Sequence, residues 1–293
     1  MNAIPTSMWA IRLHPPLVYE EVETPRPGPG EALVRVHAAA ITRDELEWPA
    51  ERLPAIPSYE LSGVAVAGDG VPPGTEVYAL ADFERDGAAA EYAVVAGELL
   101  APKPRTLSHV ESAAIPLAGL TAWQGLFNHG RLAAGERVLI HGAAGGVGSF
   151  AVQLARHRGA HVIGTTSAGG VETARGLGAD EVVDSTTTRF EDAVDSVDLV
   201  FDTAGGELLR RSPAILGDGG RLVSIAEEPA GEGVYFVVEP NREELAEIAR
   251  LADSADLRPL VDSVFPLGDA PAAFERVMKP GKRGKVVLRV VDD

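Results

Sequence analysis

Glycine is concentrated in one stretch of this sequence, which reads His141-Gly142-Ala143-Ala144-Gly145-Gly146-Val147-Gly148. An apolar run at 138–140 precedes the stretch, and apolar residues at helical spacing follow it up to residue 155. A strand, a glycine turn and a helix in this order place backbone N–H groups and a helix N-terminus against a pyrophosphate, where a Cβ would obstruct the phosphates. The sequence therefore predicts a dinucleotide site, with a plain glycine-rich turn as the alternative. The residues predicted to line it are Ala144, Gly145, Gly146 and Val147.

The residues after the second strand of this region bear on which nicotinamide cofactor fits. In NAD-specific folds, a carboxylate about 20 residues beyond the glycines binds the ribose hydroxyls and repels a 2′-phosphate. The stretch at 164–170 contains no acidic residue. The hydroxyls of Thr166 and Ser167 can donate hydrogen bonds to a phosphate. The sequence therefore favours NADP(H) over NAD.

Composition and charge exclude several other classes of function. The 293 residues are enough for one large or two ordinary domains. The absence of cysteine excludes disulfides, a thiolate nucleophile and cysteine-ligated zinc. A net charge of −17, from 26 basic and 43 acidic residues, argues against a nucleic-acid partner. No apolar run reaches the roughly 20 residues of a membrane span, and no export signal is evident, so we expect a cytoplasmic protein without a membrane partner.

The predicted secondary structure that would position these residues falls into two regions with different patterns. Up to about residue 105, short alternating strands separated by Pro and Gly predict a small barrel or sandwich. These strands are predicted at 32–37, 63–67, 75–80 and 91–95. From 137 to 238, strands and helices alternate, which predicts a doubly wound parallel sheet. Its strands are predicted at 138–140, 161–164, 181–184, 199–202, 220–225 and 234–238, and its helices at 147–158, 171–177, 190–193 and 207–216.

Helix signals mark both borders of the parallel region. Ser108 and Glu111 fit a capping box at the start of a helical pattern that Pro116 interrupts. Asn241 is a predicted N-cap of a helix that runs to residue 252. Strands at 260–265 and 285–291 and a helix at 269–278 follow, and we expect them to return to the N-terminal domain. The predicted domains are 1–107 with 258–293, and 108–257.

Several segments, in this order, resemble the medium-chain dehydrogenase/reductase superfamily, and in particular its zinc-independent quinone-oxidoreductase branch. They are the segments at 115–123, 141–148, 177–184 and 202–206, with a closing strand at 283–288. The resemblance implies an α/β plus β architecture. A discontinuous GroES-like β-rich catalytic domain would accompany a Rossmann-type dinucleotide-binding domain.

The resemblance also bears on zinc and on a proton donor. Zinc enzymes of the superfamily use cysteine and histidine ligands, and usually carry Gly-His-Glu where this sequence reads Ser58-Tyr59-Glu60. We therefore expect no zinc. Tyr59, at the lost ligand position, is the candidate catalytic residue that would protonate the product. A tyrosine packed in the first domain, with water as the proton source, is the alternative.

Further cofactor contacts are implied by the resemblance alone. The nicotinamide would lie in a cleft between domains, and its predicted contacts are Thr42, Thr121, Ala204, Ile225, Ala226, Phe236, Val237 and Val238, with Lys285 near the pyrophosphate. Ser185 is also placed in the cofactor site. Relatives commonly carry a lysine and a tyrosine at the phosphate end, where this chain has Gly169 and Ser185. Arg175 or Arg189 is a possible replacement, with an ordinary surface arginine as the alternative.

The expected reaction is hydride transfer from NADPH to the β-carbon of an enone, a quinone or a related activated carbonyl compound. The partner would be this small-molecule acceptor, and the family resemblance implies a homodimer. Two alternatives stay open. One is an enoyl-thioester reductase, and the other is a non-catalytic NADP(H)-binding sensor or structural protein.

Overall fold

The computed structural model describes residues 4–14, 16–48 and 53–291. The strands are β1 (Ser7–Leu13), β2 (Leu17–Glu23), β3 (Glu31–Ile41), β4 (Glu60–Gly68), β5 (Glu76–Leu80), β6 (Tyr92–Ala96), β7 (Ala101–Pro102), β8 (Arg137–His141), β9 (His161–Thr166), β10 (Glu181–Asp184), β11 (Val197–Asp202), β12 (Leu216–Ser224), β13 (Val234–Tyr235), β14 (Val261–Pro266) and β15 (Lys285–Arg289). The helices are α1 (His109–Ala113), α2 (Pro116–Trp123), α3 (Gly146–Arg158), α4 (Val171–Leu177), α5 (Gly206–Arg211), α6 (Arg242–Asp253) and α7 (Ala270–Met278). No helix in these described ranges is long and apolar enough to cross a membrane.

The chain divides into two units. Unit 1 comprises Met1–Leu117, Pro240–Ser254 and Pro259–Asp293, and unit 2 comprises Ala118–Glu239 and Ala255–Arg258. The domain boundaries predicted from the sequence, at 107/108 and 257/258, stay a prediction. In the structure α6 groups with unit 1, where the carbonyl of Leu245 accepts a hydrogen bond from the buried Tyr78 hydroxyl at 2.5 Å.

Unit 2 is built on a six-stranded parallel sheet in the order β10-β9-β8-β11-β12-β13. This confirms the predicted doubly wound sheet, because the order reverses at β8, as it does in Rossmann-type folds. His141 at the end of β8 pairs in register with Thr165 of β9 and with Asp202 of β11. The carboxyl ends of these strands therefore lie at one edge of the sheet. Apolar side chains from β8, β9 and β11 fill the core beneath that edge.

Unit 1 is β-rich. Its larger sheet has the order β14-β15-β3-β4-β5-β7, with β6 also paired to β3, while β1 and β2 form a separate antiparallel pair. β15 pairs antiparallel with β3, placing Val287 opposite Ala40. The C-terminal strand therefore belongs to the same sheet as the N-terminal segment. At the start of α1, Ser108 and Glu111 form the predicted capping box.

Two elements are shorter than the sequence predicts. The predicted helix at 207–216 is interrupted because Pro213 has no N–H to continue the α-helical hydrogen bonds, and a short 3₁₀ turn follows α5. Only the first two residues of the predicted strand at 234–238 pair with β12. Beyond them, the Gln124 side chain accepts from the backbone N–H of Glu239 and donates to its carbonyl, at 3.0 and 2.8 Å. This side chain takes the place of a neighbouring strand.

Candidate functional site

The turn between β8 and α3 has the backbone shape that a pyrophosphate requires. Gly142 has a φ of 75°, in the left-handed region that favours glycine. A Cβ on Gly148 would lie 2.1 Å from the Gly142 carbonyl oxygen, so only glycine allows this close approach. Gly145 donates its N–H to the same carbonyl at 2.8 Å and precedes α3 as its N-cap. The first N–H groups of α3 have no partner within the helix, and these groups fit an anionic cofactor.

Three of the predicted hydroxyl-bearing residues lie together beside this turn. Ser185 donates from both its N–H and its Oγ to the Thr166 carbonyl, at 2.9 and 3.2 Å, which fixes the end of β10 against the end of β9. Ser167 follows Thr166 and is exposed. A Cβ on Gly170 would meet both the Thr166 hydroxyl and the Cβ of Ala144, so glycine is needed where these two residues approach. The structure therefore brings the Thr166 hydroxyl next to the glycine turn, with Ser167 and Ser185 adjacent to Thr166.

The charged groups near these hydroxyls are already engaged. Hydrogen bonds from the Thr186 hydroxyl and N–H, at 2.6 and 3.0 Å, hold the pKa of Asp184 below its ordinary value. Arg175 pairs with Glu172 at 3.1 Å, and Arg189 pairs with Glu191 at 3.0 Å. Each arginine thus pairs with an acid from its own segment, and Glu191 also pairs with Arg211. That either arginine replaces the lysine of related proteins stays a prediction.

A buried pair that the sequence did not reveal holds the loops after β11 and β12. One oxygen of Asp202 accepts hydrogen bonds from the N–H groups of Ala204 and Gly205, at 3.2 and 3.1 Å. Its other oxygen accepts from the Ser224 hydroxyl at 2.9 Å, and the Ser224 oxygen accepts in turn from the N–H of Ala226 at 3.2 Å. Burial raises the pKa of Asp202. Predicted cofactor residues on both loops are therefore positioned by one carboxyl.

This pair could have been suspected from its place in the sequence. Asp202 and Ser224 both end apolar strands, and Asp202 stands three residues before a Gly-Gly pair. The backbone N–H of Ile225 donates to the Asp202 carbonyl at 3.1 Å, so the predicted contacts on the two loops lie at one edge of the sheet.

The segment after β13 carries three more predicted contacts. Phe236 and Val238 are buried, whereas 65% of Val237 is exposed. The ring of Phe236 packs against His129 with their centroids 4.4 Å apart. Thr121 is buried in α2 of the same unit. The roles predicted for these four residues stay predictions, since their positions alone assign no ligand contact.

In unit 1, the predicted residues Thr42 and Lys285 meet at a buried carboxylate. Lys285 donates to Glu60 and, at 2.8 Å, to the Thr42 hydroxyl, which itself donates to Glu60 at 3.2 Å. The other Glu60 oxygen accepts from the N–H of Leu117 at 2.9 Å. Glu60 is fully buried and Lys285 is 4% exposed. The ammonium that the family resemblance assigns to the pyrophosphate is thus paired with Glu60.

Tyr59 is fully buried. Its ring packs against Trp48 and Phe83, with centroid separations of 5.9 and 5.3 Å. This environment is that of a packed aromatic residue, and the proton-donor role of Tyr59 stays a prediction.

The residues that the structure describes do not fit a zinc ion. Within residues 4–14, 16–48 and 53–291, no three or more His, Cys, Asp or Glu side chains form a group that could hold a metal. The sequence has no cysteine, and Tyr59 stands where zinc enzymes of the family place a histidine ligand.

Proteins of known family are similar to nearly the whole chain. A family model described as zinc-binding dehydrogenase matches residues 177–288. A probable zinc-binding oxidoreductase, mitochondrial, from Arthroderma benhamiae is 34% identical and covers 91% of this chain, with 92% of the relative covered. An NADPH-dependent alkenal/one oxidoreductase, chloroplastic, from Arabidopsis thaliana is 32% identical, covering 88% of this chain and 72% of that protein.

Solved structures show the same relationship. The quinone oxidoreductase from Coxiella burnetii superposes with a TM-score of 0.90 at 29% sequence identity, covering 97% of this chain and all of that one (100%). The order of sheets, the glycine turn and these similarities agree. The chain belongs to the medium-chain dehydrogenase/reductase superfamily and is an oxidoreductase with a GroES-like and a Rossmann-type domain.

Proposed function

We propose that this oxidoreductase is zinc-independent, uses NADP(H) and reduces quinones, enones or related activated carbonyl compounds. The observation that carries the cofactor assignment is the cluster formed by Thr166, Ser167 and Ser185 beside the glycine turn, with no acidic residue at the end of β9. The relative from Arabidopsis thaliana is named for NADPH and for alkenal/one acceptors. The solved structure from Coxiella burnetii is named a quinone oxidoreductase.

In this mechanism the protein mainly binds and aligns its reactants. When bound, reduced nicotinamide supplies a hydride for the electron-poor β-carbon of the acceptor. The glycine turn and the α3 N-terminus balance the pyrophosphate charge. The loops that carry Ala204 and Ile225, together with the segment 236–238, would orient the nicotinamide half, so that donor and acceptor atoms meet in a reactive geometry.

Reduction of an enone or quinone also leaves an oxygen anion that must gain a proton. Tyr59 is our candidate donor, and water is the alternative. Thr42, fixed by Glu60 and Lys285, supports the nicotinamide end. The roles of Tyr59 and Thr42 are proposed from the family resemblance, and the hydrogen bonds of Thr42 to Glu60 and Lys285 support its role.

We further propose a cytoplasmic homodimer. β13 is an edge strand of the parallel sheet, and its residues Val234 and Tyr235 are 39% and 46% exposed. An exposed apolar edge strand is a template for pairing with a second chain. This feature supports dimer formation through 234–238.

The proposal is tested by mixing the purified protein with NADPH or NADH and following the loss of reduced-nicotinamide absorbance. The acceptors are 1,4-benzoquinone, a 2-enone and crotonyl-CoA. We expect NADPH oxidation with the quinone or the enone. A preference for crotonyl-CoA would instead support an enoyl-thioester reductase. Cofactor binding without turnover of any acceptor would support the non-catalytic alternative, and a preference for NADH would contradict the cofactor assignment.

A variant of the glycine turn shows whether measured activity belongs to this protein. Gly148→Ala places a methyl group against the Gly142 carbonyl, so we expect both cofactor binding and turnover to be lost. Gly176→Ala is the matched control, because Gly176 is exposed on α4 and a Cβ there meets no atom within 4 Å.

A further inference from the structure

Glu45 is a buried carboxyl that the proposed mechanism does not use. It is 1% exposed and begins a short 3₁₀ helix after Asp44, whose φ is 66°. One carboxyl oxygen, Oε2, accepts a hydrogen bond from the Thr42 N–H at 3.0 Å. The other, Oε1, is buried and has no hydrogen-bond partner among the residues that the structure describes. An ionised carboxylate in this position would be almost completely removed from solvent, and the backbone hydrogen bonds from Thr42 and Ser58 offset that cost only in part.

Among the residues that the structure describes, the charged groups that act on Glu45 do not offer it a cation of its own. They are Lys285 on β15 and Glu60 on β4. The Lys285 ammonium already donates to Glu60 and to the Thr42 hydroxyl. A negative charge on Glu45 would therefore compete with Glu60 for one ammonium and repel the Glu60 carboxylate. A neutral carboxyl avoids both costs while its Oε2 still accepts from Thr42.

We propose that Glu45 is a positioning residue whose protonated form holds the Thr42 turn and so keeps the Thr42 hydroxyl on the Lys285–Glu60 pair. Burial, opposed in part by the Thr42 hydrogen bond and by Lys285, raises the pKa of Glu45 to about 8. At neutral pH the folded protein then carries this proton, whereas the unfolded chain does not. The effect on turnover rests on the proposed function, but the protonation of Glu45 does not.

The proton makes stability depend on pH in a defined direction. The pKa of Glu45 in the folded protein lies above its ordinary value of 4.5, so the native state binds one more proton between these two values. The stability that protonated Glu45 contributes is fully present below the lower value. It is lost as pH rises to about 8 and changes no further above that. Across this window, the group raises the unfolding equilibrium constant about tenfold per pH unit.

The test compares denaturant unfolding of the wild type and Glu45→Gln from about pH 5 to about pH 9, without cofactor. Glutamine has the size of the neutral acid and does not titrate. We expect the ratio of their unfolding constants, wild type over variant, to rise about tenfold per pH unit and to level off near pH 8. Glu47→Gln, an exposed neighbour on the same turn, is the matched control and should show no such slope. Parallel pH dependence of the wild type and Glu45→Gln would overturn the proposal.

Two further measurements keep the proposal testable. If Glu45→Gln fails to fold, a carboxyl-carbon NMR titration of the wild type reports the Glu45 proton directly, and titration near the ordinary value would overturn the proposal. If the proposed reductase activity is found, wild-type turnover should fall above about pH 8, while the Glu45→Gln profile stays flat there. Profiles that fall together would refute the positioning role. Lack of any reductase activity would instead contradict the proposed function and leave the unfolding result intact.

Discussion

At Gly169, this chain lacks the lysine that related reductases commonly carry at the phosphate end of the cofactor site. Gly169 is exposed in the 3₁₀ turn after Ser167, and its φ is outside the left-handed region, so a lysine can be accommodated there. Because Arg175 and Arg189 are engaged elsewhere, the proposed phosphate site relies on hydroxyl and backbone donors. Hydrogen bonds from these neutral donors bind a phosphate more weakly than those from a charged donor.

We therefore predict that Gly169→Lys strengthens the preference for NADPH over NADH. The KM for NADPH should fall about tenfold, equivalent to about 1.4 kcal/mol, because a charge-assisted hydrogen bond is added. The KM for NADH should stay nearly constant. Steady-state kinetics with both cofactors check this. Gly176→Lys, which adds the same charge at an open position on α4, is the control. Equal changes for the two cofactors would place the 2′-phosphate elsewhere.

The sequence is sufficient to identify functional residues whose role depends only on their immediate neighbours in the chain. Thr166, Ser167 and the glycine turn are recognisable because each stands at a fixed distance from a strand end. The role of Asp202 depends on Ser224, 22 residues away, and on complete burial. The role proposed for Glu45 depends on Lys285, which lies on the last strand, β15. Such partners are set by tertiary packing, which no local pattern contains.

The elements that matter most for the site are the two loops that Asp202 and Ser224 connect. We predict that Asp202→Asn weakens cofactor binding about tenfold, because an amide replaces one of two acceptor oxygens and leaves a buried donor without a partner. Titration of the protein with NADPH, followed by nicotinamide fluorescence, gives the dissociation constant. Asp198→Asn is the matched control, since Asp198 is exposed near the start of the same strand and accepts from the N–H of Arg137. Equal effects of both variants would contradict the role of Asp202 in the loops.

Elements with a strong periodic pattern are predicted well from this sequence. α4 matches its predicted residues, and α6 begins after the predicted cap, because Asn241 accepts from the N–H groups of Glu243 and Glu244. By contrast, β1 and β2 were not predicted. Their pairing depends on long-range register, and much of β2 is exposed and acidic. A strand without a clear inward face has no alternation for a pattern to detect.

For the molecule as a whole, the order of its segments was enough to predict the family. The β-rich segment, the glycine turn and the closing strand do not identify a family when each is taken alone. Their order along the chain matches one superfamily. The net charge of −17 does not distinguish among acceptors. Substrate choice depends on side chains that vary within one fold, so the acceptor must be established by chemistry.

The central claim is hydride transfer from the nicotinamide to the β-carbon of an activated carbonyl compound. The most direct measurement uses NADPH carrying deuterium at C4 of the nicotinamide, in each stereochemical form, with a 2-enone, followed by mass spectrometry and NMR of the product. One of the two forms should deliver a single deuterium to the β-carbon of a saturated ketone. Deuterium at the carbonyl carbon of an allylic alcohol, or no transfer from either form, would contradict the account.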